Sequence, residues 1–169
     1  YQLKKMSKQL NKLKAKIFHI EDLSQIIKEW RLDGNKIVFT NGCFDLIHLG
    51  HLEVLARSAD LGDRLIVGIN SDKSIKRIKG KSRPIIEEDS RAKQLAAIEF
   101  IDAVILFNED TPHNLISSIN PDIITKGGDY KKNDVIGNEL MNKKSGKVVI
   151  IPLTQGFSTT SILEKIKNE

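Results

Sequence analysis

His48 and His51 stand three residues apart, with Gly50 between them, at the end of the run Thr40-Asn41-Gly42-Cys43-Phe44-Asp45-Leu46-Ile47. On a helix this spacing puts both imidazoles on one face of the first turn. Gly50 has no Cβ, so a bulky ligand can come close to the backbone. A helix opening here adds unpaired N–H groups and the positive end of the helix dipole. Together these features suit a phosphate. Two plainer readings compete. The pair could be ordinary histidines satisfied near a helix end. It could also ligate a metal, but Cys43, His19 and His113 supply no recognisable remaining ligand set. No Glu follows His48, as a metalloprotease helix would require. We therefore read both histidines as phosphate-binding imidazoles.

Three other segments carry similar chemistry. The run Lys76-Arg77-Ile78-Lys79-Gly80-Lys81-Ser82-Arg83 is by default a solvated loop. If it faces the same edge as the histidines, Lys79 or Lys81 can reach a phosphate. In Lys126-Gly127-Gly128-Asp129-Tyr130 the paired glycines could form a bare turn, yet a turn needs no adjacent Lys and Asp, so ligand contact is expected. Gly156-Phe157-Ser158-Thr159-Thr160 could be only a helix N-cap, but three hydroxyls beside a glycine also form a nest for triphosphate oxygens.

The elements that must position these groups alternate in type. Leu23, Ile26, Ile27 and Trp30 form the apolar stripe of a first helix, which ends at Asp33-Gly34-Asn35. A strand at 36–40 precedes the histidine segment, and a helix over 49–60 is closed by Gly62. The apolar runs at 64–69, 103–107, 122–125 and 147–151 read as further strands. Between them lie a short helix within 71–84, a helix over 87–100, and one from Thr111 (N-cap) and Pro112 to about Ile119. A last helix opens at 158–160. Uniformly apolar strands alternating with helices mean a parallel sheet covered on both faces. The predicted fold is α/β, a Rossmann-like three-layer sandwich with a five-stranded parallel sheet and helices on both faces. In such a sheet the ligand lies beyond the carboxyl ends of the strands. The loops expected to matter are therefore 41–51, 70–84, 126–138 and 154–160.

Composition narrows the class. A chain of 169 residues, 40% apolar and 29% charged, suits one soluble domain. No apolar run approaches the roughly 20 residues of a membrane span, and no signal-peptide pattern opens the chain. With Cys43 as the single cysteine, no intrachain disulfide is available, and a reducing cytoplasm is expected. The net charge of +5 comes from a tail: residues 1–16 hold six lysines and no acid, and the remaining 21 basic and 22 acidic residues nearly cancel. That near-neutral body, with no aromatic-studded basic face, weighs against a nucleic-acid partner. Residues 1–16 are expected to be a solvated basic tail or linker.

The segments Phe39 to Asp45, His48 to His51, Val67 to Asp72, Lys79 to Pro84, Arg91 with Leu95-Ala96-Ala97, Glu109 to Pro112, Pro121-Asp122, Lys126 to Tyr130, Val135 to Gly137 and Gly156 to Thr160 together resemble the HxGH nucleotidyltransferase superfamily. The resemblance is nearest to the adenylyltransferase domain of heptose-1-phosphate enzymes, and it covers residues 17–166. The family often has a glycine where Ser82 stands, and a proline within the stretch Ile86 to Ser90. The resemblance implies a nucleotidyltransferase domain over 17–169 that transfers AMP from ATP to a sugar 1-phosphate, releasing pyrophosphate. The acceptor phosphate is already anionic, with a second pKa of about 6, so no general base is required.

It further implies His48, His51, Lys81 and Arg91 as catalytic residues. Nucleotide contacts are implied for Thr40, Asn41, Gly42, Phe44, Gly50, Lys126, Gly127, Asp129, Gly156, Ser158, Thr159 and Thr160, and substrate contacts for Asp45, Lys79, Arg83 and Gly137. Mg²⁺ is expected with ATP, held by phosphate and water rather than by protein ligands. Related enzymes commonly form homodimers, and many are fused to a sugar kinase. The sequence contains no kinase domain, so a stand-alone enzyme or one domain of a longer polypeptide is expected, and the start at Tyr1 rather than Met fits the latter. Two alternatives remain open: a cytidylyltransferase acting on glycerol 3-phosphate or a similar alcohol phosphate, and a non-catalytic nucleotide-binding module.

Overall fold

The structure, a computed structural model, describes residues 7–128, 130–153 and 156–167. Strands β1 (Ile17–Phe18), β2 (Ile37–Gly42), β3 (Arg64–Asn70), β4 (Ala103–Phe107), β5 (Ile123–Gly127) and β6 (Lys147–Ile151) form one sheet. Their order is β1-β4-β3-β2-β5-β6, and every pairing is parallel. The sheet therefore has six strands rather than the expected five. The extra one is β1, where Ile17 and Phe18 pair with Val104 and Ile105 at one edge. Two residues are too few to show a period, so sequence alone does not reveal it.

Alternation along the strands builds a core on each face. Ile37 and Phe39 of β2 and Ile66 of β3 point to one side, against Leu23 and Ile27 of α2 (Ile20–Leu32), three residues of α6 (His113–Ile119) and Met141 of α7 (Asn138–Lys143). Val38 of β2 and Leu65, Val67 and Ile69 of β3 point to the other side. There they meet Leu55 of α3 (Leu49–Ala59) and Ala92, Leu95 and Ala96 of α5 (Glu88–Ala96). The result is the expected three-layer α/β sandwich. Helix α5 ends four residues before the predicted Phe100.

Part of the basic tail is also structured. Lys8–Lys14 form α1, whose Leu13 packs against the core on the α5 side. Just beyond it, Lys16 Nζ donates to the carbonyls of Ile98 and Glu99 at 3.1 and 3.2 Å.

From β2 the chain steps outward to β3 and β4, then returns to the other side of β2 for β5 and β6. Strand order thus reverses between β2 and β5. That is where a parallel sheet opens a crevice for a ligand.

Candidate active site

The segment after β2 turns at the crevice and enters α3 with His48 as its N-cap residue, in an extended conformation (φ −136°, ψ 172°). The backbone N–H groups of His51 and Leu52 donate to the His48 carbonyl at 2.9 and 3.2 Å, closing the first turn. The two imidazoles stack, with centroids 3.8 Å apart and planes 22° from parallel. Both Nδ1 atoms are buried without a well-formed hydrogen bond, so Nε2 is the atom each ring offers to a ligand. A Cβ on Gly50 would lie 3.2 Å from the His48 ring, so the glycine lets that ring fold back over the helix end. Phe44 braces the pair. Its backbone adopts φ +47°, unusual for a bulky residue, and its buried ring sits 5.2 Å from that of His51.

Charge follows from burial. Desolvation lowers the His51 pKa to about 4; the neighbouring His48 and Lys79 push the same way, and the Leu46 backbone opposes them. Desolvation lowers the His48 pKa as well. At neutral pH both rings are therefore neutral hydrogen-bond donors rather than fixed cations. Positive charge comes from lysines instead. Lys126, at the end of β5, donates from Nζ to the carbonyl and side-chain oxygens of Asn41 at 3.2 and 3.4 Å, which ties β5 to β2 across the crevice. Burial depresses its pKa as well.

The crevice has two lobes. One, of about 350 Å³, is lined by Thr40, His48, Gly50, His51, Gly127 and the 157–160 segment, among others. The second, of about 390 Å³, runs beside Asn70, Asp110, Thr111 and Asp134. They meet along Asn41, Gly42, Cys43, Lys79, Lys126 and Tyr130. The structure places Thr40, Asn41, Gly42, Phe44, His48, Gly50, His51, Lys79, Lys126, Gly127, Ser158, Thr159 and Thr160 around one opening. The Ser158 hydroxyl is already engaged, accepting from the Ser161 N–H at 3.0 Å as a helix cap for α8 (Thr159–Lys167). Asp129 lies outside the described residues, and Gly156 lines neither lobe.

Five expected site residues fall elsewhere. Arg91 is fully buried rather than aimed at phosphate. It donates to the carbonyls of Ile86, Cys43 and Asn70 at 2.9, 2.6 and 2.8 Å and to Asp72 at 2.8 Å. It clasps the loops around the cleft and does not enter it. Asp45 is also buried, accepting from the Ile85 and Ile86 N–H groups at 2.8 and 2.9 Å and pairing with Arg83 Nε at 2.7 Å. Asp45 and Arg83 thus fasten the 83–86 loop to the histidine turn, leaving neither facing a substrate. Gly137 caps α7 at φ +91°, where a Cβ would come within 2.9 Å of Ile116 and 3.0 Å of Ile124; its place is in the core. Lys81 is exposed past the end of α4 (Asp72–Lys79) and lines neither lobe.

The loop after β4, which the sequence reading placed in the family resemblance without assigning it a ligand contact, supplies Asp110, Thr111 and Pro112 to the second lobe. The Thr-Pro pair was read only as a helix start. The helix in fact begins at His113 with Pro112 as N-cap, leaving Thr111 in the cleft. Cys43, Asn70 and Tyr130, which lie in expected loops but were given no individual role, also line the cleft.

Fold and cleft together define an α/β domain of the HxGH type. The chain belongs to the cytidylyltransferase-like family, which matches residues 39–165. It is similar to the bifunctional protein HldE of Koribacter versatilis, at 47% identity over 89% of this chain and 31% of that protein. The HldE protein of Nitrobacter winogradskyi is 51% identical over 85% of this chain and 30% of its own length. The chain thus spans about a third of these relatives. Among solved structures, a lipopolysaccharide core biosynthesis protein from Thermoplasma volcanium superposes with a TM-score of 0.59 at 32% identity. That match covers 72% of this chain and 98% of the other.

Proposed function

We propose that this domain transfers AMP from ATP to a sugar 1-phosphate, with D-glycero-β-D-manno-heptose 1-phosphate as acceptor and ADP-heptose and pyrophosphate as products. Lipopolysaccharide core or related glycan synthesis would use that product. The observation that carries the reading is the meeting of the two lobes along Asn41, Lys79 and Lys126, directly beside the stacked histidines. The HldE relatives and the lipopolysaccharide core protein support the choice of sugar.

In this mechanism an acceptor phosphate oxygen forms a bond to the α-phosphorus as the bond from that phosphorus to the bridging oxygen breaks. Pyrophosphate leaves with the electron pair. The attacking oxygen is already ionised, so the protein supplies alignment and charge neutralisation. His48 and His51 donate through Nε2 to triphosphate oxygens, helped by the first-turn amides of α3. Lys79 and Lys126, at the junction, offset the mutual repulsion of the two phosphates. Mg²⁺ enters as part of the substrate MgATP. Phosphate oxygens and water would hold it.

A sugar kinase working with or fused to this domain would supply the acceptor, and a homodimer in the cytoplasm is the expected setting. No helix among the described residues is long and apolar enough to cross a membrane. The test is pyrophosphate release from each of the four NTPs against a panel of sugar and alcohol phosphates. ATP with the heptose phosphate should give the highest kcat/KM; higher turnover of CTP with glycerol 3-phosphate would replace this reading with a cytidylyltransferase.

A further inference from the structure

We propose that the buried hydroxyl pair Ser58–Thr125 positions the catalytic histidines: it fixes the height of α3 along β5, and so sets His48 and His51 against Lys126. This rests on nucleotidyl transfer at the histidine cleft and deepens it. Neither hydroxyl lines a lobe of the cleft, so the pair acts through the helix and not on the substrate.

Helix α3 meets β5 at two points on one face of the strand. Just past Lys126, Gly127 lies so close to the helix that a Cβ there would stand 2.8 Å from Val54 Cγ2. Just before Lys126, the Thr125 hydroxyl is 2.7 Å from that of Ser58. The two contacts are commensurate. Val54 to Ser58 spans about 6 Å of helix, and Thr125 to Gly127 about 6.6 Å of strand. His51 lies within one turn of Val54 on the same helix. Any slip of α3 along β5 therefore moves the imidazoles relative to Lys126.

The hydrogen bonds have one order. Ser58 gives its single hydroxyl proton to the Val54 carbonyl at 2.7 Å, so Thr125 is the donor within the pair. The Thr40 hydroxyl donates to the Thr125 carbonyl at 3.1 Å, which ties β2 to the same point. All three residues are buried. Apolar contact is non-directional and would let the helix settle over a range of heights. A hydrogen bond holds distance and angle narrowly. Replacing both partners of a buried hydrogen bond by apolar groups of the same shape can be nearly neutral in stability. The pair thus serves placement more than adhesion.

The experiment compares the wild type with Ser58→Ala, Thr125→Val and the double variant, reading melting temperature and pyrophosphate release per folded molecule. Ser58→Ala strands the buried Thr125 hydroxyl and should lower the melting temperature. The double variant strands nothing and should melt near the wild type. Its kcat should nevertheless stay about tenfold below wild type, because a misplacement well under 1 Å is enough, and the KM for ATP should change less than kcat. Thr125→Val leaves Ser58 bonded to Val54, so it stays folded and should show the same loss of kcat. Recovery of both stability and turnover in the double variant would overturn the proposal and make the pair ordinary packing. Normal kcat in Thr125→Val would overturn it as well, with nucleotidyl transfer left standing. A wild type that releases pyrophosphate from no NTP with any phosphate acceptor would overturn both.

Discussion

His48 stacks on His51 at 3.8 Å, and neither ring makes a well-formed hydrogen bond through its buried Nδ1. Two imidazoles in that contact repel when both are protonated, and burial adds to the effect. The pair is therefore held neutral until an anion arrives. It can donate hydrogen bonds to a triphosphate without carrying charge that must be stabilised in the empty site.

A pH dependence follows. The folded pKa of His51 is about 4, below the ordinary value of 6.5. Between those values the unfolded chain binds more protons than the folded one, so this histidine's contribution falls as pH drops. Stability attributable to His51 should be fully present above pH 6.5 and be lost progressively towards pH 4. Urea unfolding from pH 7.5 to 4.5 should show a decline that flattens in His51→Asn. An equal decline in the variant would assign it to other groups.

Arg91 should matter through position. Its guanidinium holds the carbonyls of Cys43, Asn70 and Ile86 as well as the Asp72 carboxylate. Arg91→Met leaves those acceptors without a donor in a buried setting, and should cost about 3 kcal/mol of stability. Arg91→Lys should recover part of it, keeping the charge opposite Asp72 but not the fork. Denaturant midpoints measure both; a direct phosphate contact would instead leave stability intact and reduce turnover alone.

The tail gives a third expectation. Deleting residues 1–15 removes α1 and the partial burial of Leu13, so the melting temperature should fall, reflecting about 1 kcal/mol. Turnover per folded molecule should stay within about tenfold of the full chain, equivalent to roughly 1.4 kcal/mol of barrier. A larger loss would place the tail in the site.

Much of this fold was legible because its signals are periodic or stereochemical. The uniformly apolar runs at 64–69 and 103–107 announce strands buried on both faces, and the strands of a parallel sheet then deliver their loops to one edge. His48 and His51 fall on that edge by spacing alone. The surroundings of Arg91 were not legible, because a sequence shows a cation but not its partners; here three backbone carbonyls take up its donors and the Asp72 carboxylate balances its charge. The commitment of Asp45 to Arg83 was hidden in the same way. Thr111 was hidden differently: Thr111-Pro112 reads as a helix start, and nothing local to that pair shows that Thr111 also lines the cleft.

The most direct test of the central claim is turnover and melting temperature measured on one preparation of His51→Ala, assayed by pyrophosphate release. Loss of one preorganised donor to developing charge should lower kcat by about 10²–10³, with His51→Asn retaining part of the rate and both variants melting near the wild type. A core histidine would show the reverse, a lowered melting temperature with little change in rate per folded molecule. Normal turnover in His51→Ala would contradict the account.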